Sequence, residues 1–203
     1  RCFWCHSPES QSFSPEVSWY QARCTSCGRC HEVCPEGLRG QDVLTEEERR
    51  TCRLCGRCID ACRSRALEIV GREVTASEVL DEAVRLRPFF GRSGGGVTLT
   101  GGEPLAQPAF SHAVASLMRE AGVHVAIETT GFVDWDILDR MRAVVDLFLY
   151  DMKHPDDERH RELTGVGNAR ILRNLRRLTP AGAEVIARVP LIPGVNDDPS
   201  TAE

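Results

Sequence analysis

The cysteine spacing constrains this chain more than any other feature. "CTSCGRCHEVCP" places Cys24, Cys27, Cys30 and Cys34 at C-x2-C-x2-C-x3-C, and "CRLCGRCIDACR" repeats that spacing at Cys52, Cys55, Cys58 and Cys62. Eight of the ten cysteines fall in one short segment, and such density calls for disulfides or metal. A disulfide knot has no reason to repeat one spacing twice, and the reducing cytoplasm, the compartment expected for this chain, opposes it. Two zinc sites of four cysteines each are the stronger alternative, although zinc sites more often set two C-x2-C pairs apart by a longer loop.

The repeated spacing is that of two-cluster ferredoxins, in which the fourth cysteine of each run ligates the other cluster. Cys24, Cys27, Cys30 and Cys62 are therefore assigned to one [4Fe-4S] cluster. Cys52, Cys55, Cys58 and Cys34 are assigned to a second. Gly28 and Gly56 occupy matching places and suit a tight turn around inorganic sulfide. Pro35 follows the first run and Arg63 the second, a departure that touches no ligand. With thiolates enough for both clusters, His31 and His6 read as plain loop histidines. Cys2 and Cys5, in "RCFWCHSPES", are too few to hold a cluster or a closed zinc site.

At 203 residues the chain can bury one domain of moderate size plus a small one. No run approaches about 20 uninterrupted apolar residues, so no membrane partner is expected. The N-terminus shows no apolar run behind a basic start, so no signal peptide is expected from it, and a chain cut before its true start would not show one. The net charge of −5 argues against a nucleic-acid partner, which needs clustered positive charge.

After the cysteine segment, strands alternate with helices. Apolar residues recur at helical spacing in "TASEVLDEAVRLRPFF", with Thr75 or Ser77 able to cap. Strands are expected in "GVTLT", "VHVAIETT", "VVDLFLYDMK" and "AEVIARVPLIPG", and helices over 108–121, 135–141 and 170–178. That order implies parallel pairing with right-handed crossovers. In such folds chemistry sits at the C-terminal ends of the strands. Polar residues gather there, in "TGGEP" from Thr100, "ETTG" from Glu128, "YDMKH" from Tyr150 and "RVPLIPGVND" from Arg188. Glu103 offers an acceptor for an ammonium group. The glycine runs allow close approach of a ligand, or are ordinary turns. Lys153, the one lysine of the chain, follows Asp151 at a strand end.

Together, "CFWCHSPES", "SGGGVTLTGGEP", "ETTG", "DMKH" and "RVPLIPGVND" closely resemble the glycyl-radical-enzyme activating enzymes of the radical S-adenosylmethionine superfamily. The resemblance implies a partial (β/α)6 TIM-like barrel, truncated in this sequence, with a small inserted ferredoxin-like two-cluster domain, an α/β fold overall. Residues 1–23 would begin the radical SAM domain, 24–66 form the insertion, and 67–203 continue the domain. Cys2 and Cys5 match the second and third cysteines of a C-x3-C-x2-C site, whose first would stand three residues upstream of Arg1. The iron without a cysteine is then open to the amino and carboxylate groups of S-adenosylmethionine. The resemblance further implies that Gly102 and Glu103 lie near the cofactor amino group, that Asp151 and Lys153 hold its ribose and carboxylate, and that Arg188 lines the far end. Trp4 would stand near adenine, with core packing as the alternative. Three [4Fe-4S] clusters are expected in the intact protein, and a stretch lacking the first strand and the last elements is not expected to be active.

By the same resemblance, a reduced flavodoxin or ferredoxin supplies an electron to the site cluster. S-adenosylmethionine is cleaved to methionine and a 5′-deoxyadenosyl radical, which takes hydrogen from a backbone glycine of a large partner enzyme. No side-chain acid or base is required, because cofactor and cluster provide the difficult chemistry. Two readings compete: a radical enzyme acting on a small molecule, and an electron-transfer iron-sulfur protein, which leaves Cys2, Cys5 and the strand-end motifs unexplained.

Overall fold

The computed structural model describes residues 2–5, 8–38 and 45–197. Two compact units are present, one of Ser7–Glu73 and one of Arg1–His6 together with Val74–Glu203. His6 lies outside the described residues.

In the smaller unit, β1 (Glu16–Trp19) pairs antiparallel with β2 (Leu67–Val70), Trp19 facing Leu67 in the register. These strands, which sequence reading leaves out, bracket both cysteine runs. Between them lie the short helices α1 (Arg29–Glu32), α2 (Glu46–Thr51) and α3 (Arg57–Asp60). The sequence repeat is also a conformational one. Ser26 and Leu54, each preceding the second cysteine of its run, are left-handed at φ 54° and 51°. Gly28 and Gly56 follow at 76° and 77° as N-caps of α1 and α3, so the turn expected at both glycines is present. After each fourth cysteine, a backbone bond closes a further turn: Gly37 N to Cys34 O and Arg65 N to Cys62 O, both 3.1 Å. Left-handed residues in such turns curl backbone N–H groups toward one centre, a concavity suited to anionic groups.

The larger unit begins with α4 (Ala76–Val84) and α5 (Arg87–Ser93), where the sequence suggests one helix. Pro88 is the physical reason for the break: inside a continued helix it would leave the Val84 carbonyl without a donor and clash with it. Thr75 rather than Ser77 caps α4, accepting from Glu78 N at 3.2 Å while Glu78 accepts from Thr75 N at 2.7 Å. A reciprocal cap of this kind contributes about 1 kcal/mol. The chain then alternates as β3 (Gly96–Leu99), α6 (Pro108–Glu120), β4 (His124–Thr129), α7 (Trp135–Arg142) and β5 (Leu147–Asp151). α8 (Asp157–Thr164), α9 (Ala169–Leu178) and β6 (Val185–Arg188) complete it. The strands form one sheet in the order β3-β4-β5-β6, every pair parallel.

Burial follows from that sheet. Val125, Ala126 and Ile127 are buried in succession, as a parallel strand covered on both faces requires, while β5 buries alternate residues Phe148 and Tyr150. α6 turns Ser111, Val114, Ala115 and Met118 inward at helical spacing. α7 adds Leu138 and Met141, and α9 adds Ile171 and Leu178. Each fully buried large apolar side chain contributes about 1.5–3 kcal/mol. The result is a rigid support that brings four strand ends to one edge.

Candidate functional site

None of the ten cysteines is in a disulfide. Cys24, Cys27, Cys30 and Cys62 line one cavity, beside Trp19 and Leu67. Cys34, Cys52, Cys55 and Cys58 line a second, beside Val17 and Leu38. The geometry thus brings each fourth cysteine to the trio of the other run. The fourth cysteine follows its short helix, which leads it away from its own trio.

Sulfur atoms in both cavities accept backbone hydrogen bonds: Cys24 from Ser26 at 3.4 Å, Cys62 from Ala66 at 3.2 Å and Cys34 from Leu38 at 3.4 Å. The Trp19 indole N–H and the Ser26 amide hold the Cys24 thiol below its ordinary range. Burial works against ionisation of Cys62, but Ser64 and neighbouring amides outweigh it and lower that thiol also. Burial pushes Cys58 up. Four thiols lining one space, with backbone amides donating to sulfur, are a donor set chemically suited to an anionic iron-sulfur cube. Among the described residues, no group of three or more His, Cys, Asp or Glu side chains converges tightly enough to hold a single metal ion.

In the larger unit, the strand ends form a continuous polar array. Thr100, after β3, donates to Glu128 of β4. Arg188, ending β6, donates to Glu128 through one guanidinium nitrogen and to Asp151 Oδ1 through two others at 2.8 and 2.9 Å. Lys153 donates to Asp151 Oδ2 at 2.9 Å. Parallel pairing sets this up, because the register places Asp151 beside Arg188. The Arg188 guanidinium, with help from Thr100, holds Glu128 below the usual carboxylate range. Glu128 in turn holds Arg188 firmly charged.

Glu103 is more fully engaged than its motif suggests. Oε1 accepts from Thr129 Oγ1 at 2.7 Å and Leu105 N at 3.1 Å, and Oε2 from Thr130 N at 2.9 Å and Thr130 Oγ1 at 2.8 Å. A carboxylate has about four acceptor positions. An ammonium ligand at Glu103 would therefore have to displace a threonine hydroxyl. Gly131 of "ETTG" answers to packing: at φ 66°, an added Cβ would lie 1.8 Å from the Tyr150 hydroxyl.

Cys2 and Cys5 belong to this same unit. Their loop is closed by Cys5 N to Cys2 O at 3.1 Å and tied to α8 by Phe3 N to Leu163 O at 2.9 Å. Burial raises the Cys2 thiol, and the nearby Lys153 ammonium opposes that rise. The cysteine loop and the β5 end are therefore electrostatic neighbours. Trp4 is half-buried and meets Phe3 edge to face at 6.5 Å.

The sequence pattern of the Radical SAM superfamily matches residues 1–202. The chain belongs to the radical SAM superfamily. It is 42% identical to the isethionate sulfite-lyase activating enzyme of Nitratidesulfovibrio vulgaris over 206 residues, covering 98% of this chain and 67% of that one. It is also 42% identical to the benzylsuccinate synthase activating enzyme of Thauera aromatica, covering 97% of this chain and 62% of that one. A solved domain of a pyruvate-formate lyase-activating enzyme from Bacteroides vulgatus is similar at 36% identity and TM-score 0.50, over 53% of this chain and 66% of that one. The chain spans about two thirds of the length of the curated relatives it matches. The chain is closely related to several glycyl-radical-enzyme activating enzymes. No helix among the described residues is long and apolar enough to cross a membrane.

Sequence reasoning missed the roles of four residues. Glu128 as the second partner of Arg188 reaches across the intervening β5, so this pairing depends on the strand order. Thr129 and Thr130 as donors to Glu103, and Trp19 in the first cavity, depend on distant segments meeting and left no local signal.

Proposed function

We propose that the intact protein generates the glycyl radical of a partner enzyme, using one [4Fe-4S] cluster at Cys2, Cys5 and a third cysteine and two more in the cysteine-lined cavities. The observation that supports it most is the single unit in which the Cys2–Cys5 loop lies electrostatically beside Lys153, at the edge where Glu128, Asp151 and Arg188 meet. In this reading the larger unit is a partial (β/α)6 barrel, and the cysteine segment is a ferredoxin-like insertion that passes electrons from a flavodoxin or ferredoxin. Crossed cavity linings support the insertion.

The bound cluster and S-adenosylmethionine together supply reductive cleavage of the sulfonium and a radical able to take hydrogen from glycine. The chain supplies position. Cys2 and Cys5 anchor two irons, and their loop is fixed by the bond from Phe3 to Leu163. Lys153, with 15% of its side chain exposed, presents a shielded positive charge to an anionic part of the cofactor. Asp151 is an acceptor for ribose hydroxyls, held in place by Arg188. Glu103 positions the "TGGEP" loop against β4 so that Gly102 brings backbone close to the amino group. Trp4 shields the adenine side.

The test is anaerobic incubation of reduced, reconstituted intact protein with S-adenosylmethionine and a glycyl-radical enzyme encoded beside it. The expected result is a partner-dependent glycyl radical by EPR with 5′-deoxyadenosine formed alongside. Cleavage that needs a small molecule and leaves the partner without a radical would favour the small-molecule reading.

A further inference from the structure

We propose that Trp19 tunes the cluster of the Cys24, Cys27, Cys30 and Cys62 cavity to a higher reduction potential than that of the Cys34, Cys52, Cys55 and Cys58 cavity. This rests on the reading that both cavities hold [4Fe-4S] clusters. The Trp19 indole nitrogen is buried, and among the described residues it has no partner beyond the Cys24 thiol that it faces. Its side chain lines the first cavity beside Cys24. A buried indole N–H normally finds an acceptor. The sulfur atoms of a cluster in that cavity are the acceptors that would complete it.

The two halves otherwise repeat closely, in turn conformation, capping and the backbone bond to the fourth sulfur. β1 breaks the symmetry. Val17 and Trp19 lie two residues apart on one strand and so share a face. Val17 lines the second cavity and Trp19 the first. One strand thus gives a saturated side chain to one cluster and an N–H donor to the other. Ser64, two residues after the fourth cysteine of its run, acts in the same direction, its Oγ lying 3.6 Å from Cys62 Sγ. At the matching place Glu36 is paired with Arg53 at 2.7 Å and offers the second cavity no hydroxyl donor. Hydrogen bonds to cluster sulfur favour the reduced, more negative state.

The experiment is an EPR-monitored redox titration of the intact, reconstituted protein and its Trp19→Phe variant, after iron, sulfide and zinc analysis of both. In the variant, one inserted-cluster signal is expected to move to lower potential. At fixed potential its reduced-to-oxidised ratio should fall about tenfold, equivalent to 59 mV for one electron. The other cluster signals should not move. Full iron content with every potential unchanged overturns the proposal. Should Trp19→Phe fail to assemble its cluster, the parent with nitrogen-15 in its indoles, in a Trp4→Phe background, is examined by pulsed EPR. An indole nitrogen-15 coupling to a reduced inserted cluster supports the assignment, and its absence overturns it. A parent holding zinc in place of the inserted iron fails at the first analysis and removes the underlying cluster reading with the proposal.

Discussion

Lys153 Nζ donates to Asp151 Oδ2 at 2.9 Å, with only 15% and 19% of the two side chains exposed. The only lysine of the chain therefore does not stand as free surface charge. Asp151 also accepts from Arg188, so loss of Lys153 would leave the carboxylate paired and the strand end intact. Lys153→Ala should weaken S-adenosylmethionine binding by roughly ten- to a hundredfold, the loss of a charge-assisted contact of about 1.5–3 kcal/mol. Cluster content should stay the same. Lys153→Arg should restore binding only in part, because a planar fork does not replace a compact ammonium. Titration of the site cluster's EPR signal with cofactor reads both, and parent-like affinity in the alanine variant would remove Lys153 from the site.

A second prediction concerns acid. Glu128 is depressed in the folded protein, chiefly by Arg188, so its contribution to stability is present above its unfolded value of about 4.3 and fades as pH falls through the lower folded value. Glu128→Gln in the cluster-free protein should lower stability at pH 7 by up to about 1 kcal/mol, given a partly exposed pair. That difference should narrow below pH about 4. Urea unfolding of parent and variant at both pH values checks it, and a difference that does not vary with pH would mean the carboxylate charge is irrelevant.

Packing at the β4 end makes a third. Gly131→Ala would force a Cβ against Tyr150, whose buried hydroxyl donates to Ile171 O at 2.8 Å. Overpacking and the left-handed backbone together should cost about 2–5 kcal/mol. Adding Tyr150→Phe to Gly131→Ala removes the colliding oxygen and should recover part of the loss in denaturant unfolding. Absence of any recovery would assign the effect to the ring carbons, at 2.3 and 2.5 Å from the added Cβ, and to backbone conformation rather than to the hydroxyl.

The strands of the larger unit and most of its helices were legible because apolar periodicity and strand-end polarity are local signals. Pro88 was equally visible, and breaks the run that Val79 and Leu80 begin. What sequence could not give is which distant groups meet. Glu103 looks like a free acceptor until Thr129 and Thr130 arrive from β4. Gly131 stands in the sequence only as the end of "ETTG", with nothing to show that Tyr150 lies against it. β1 and β2 are four residues each and pair across the whole cysteine segment, so no local pattern announces them.

The crossed cavity linings give a fourth prediction. Cys62→Ala should remove the cluster of Cys24, Cys27 and Cys30, and Cys34→Ala that of Cys52, Cys55 and Cys58. Cys5→Ala should abolish cofactor cleavage and leave both inserted clusters. Parent iron should be about twelve per chain and fall by about four in each variant. Iron analysis with EPR decides this, and loss of the trio belonging to the mutated run itself would reverse the crossing.

Glycine hydrogen transfer tests the functional account most directly. The partner enzyme is prepared with deuterium on its glycine α-carbons and incubated anaerobically with the reduced intact protein and S-adenosylmethionine. The account predicts deuterium in the 5′-deoxyadenosine product together with a glycyl radical in the partner's EPR spectrum. Cofactor cleavage with no deuterium transferred and no radical on the partner would contradict it.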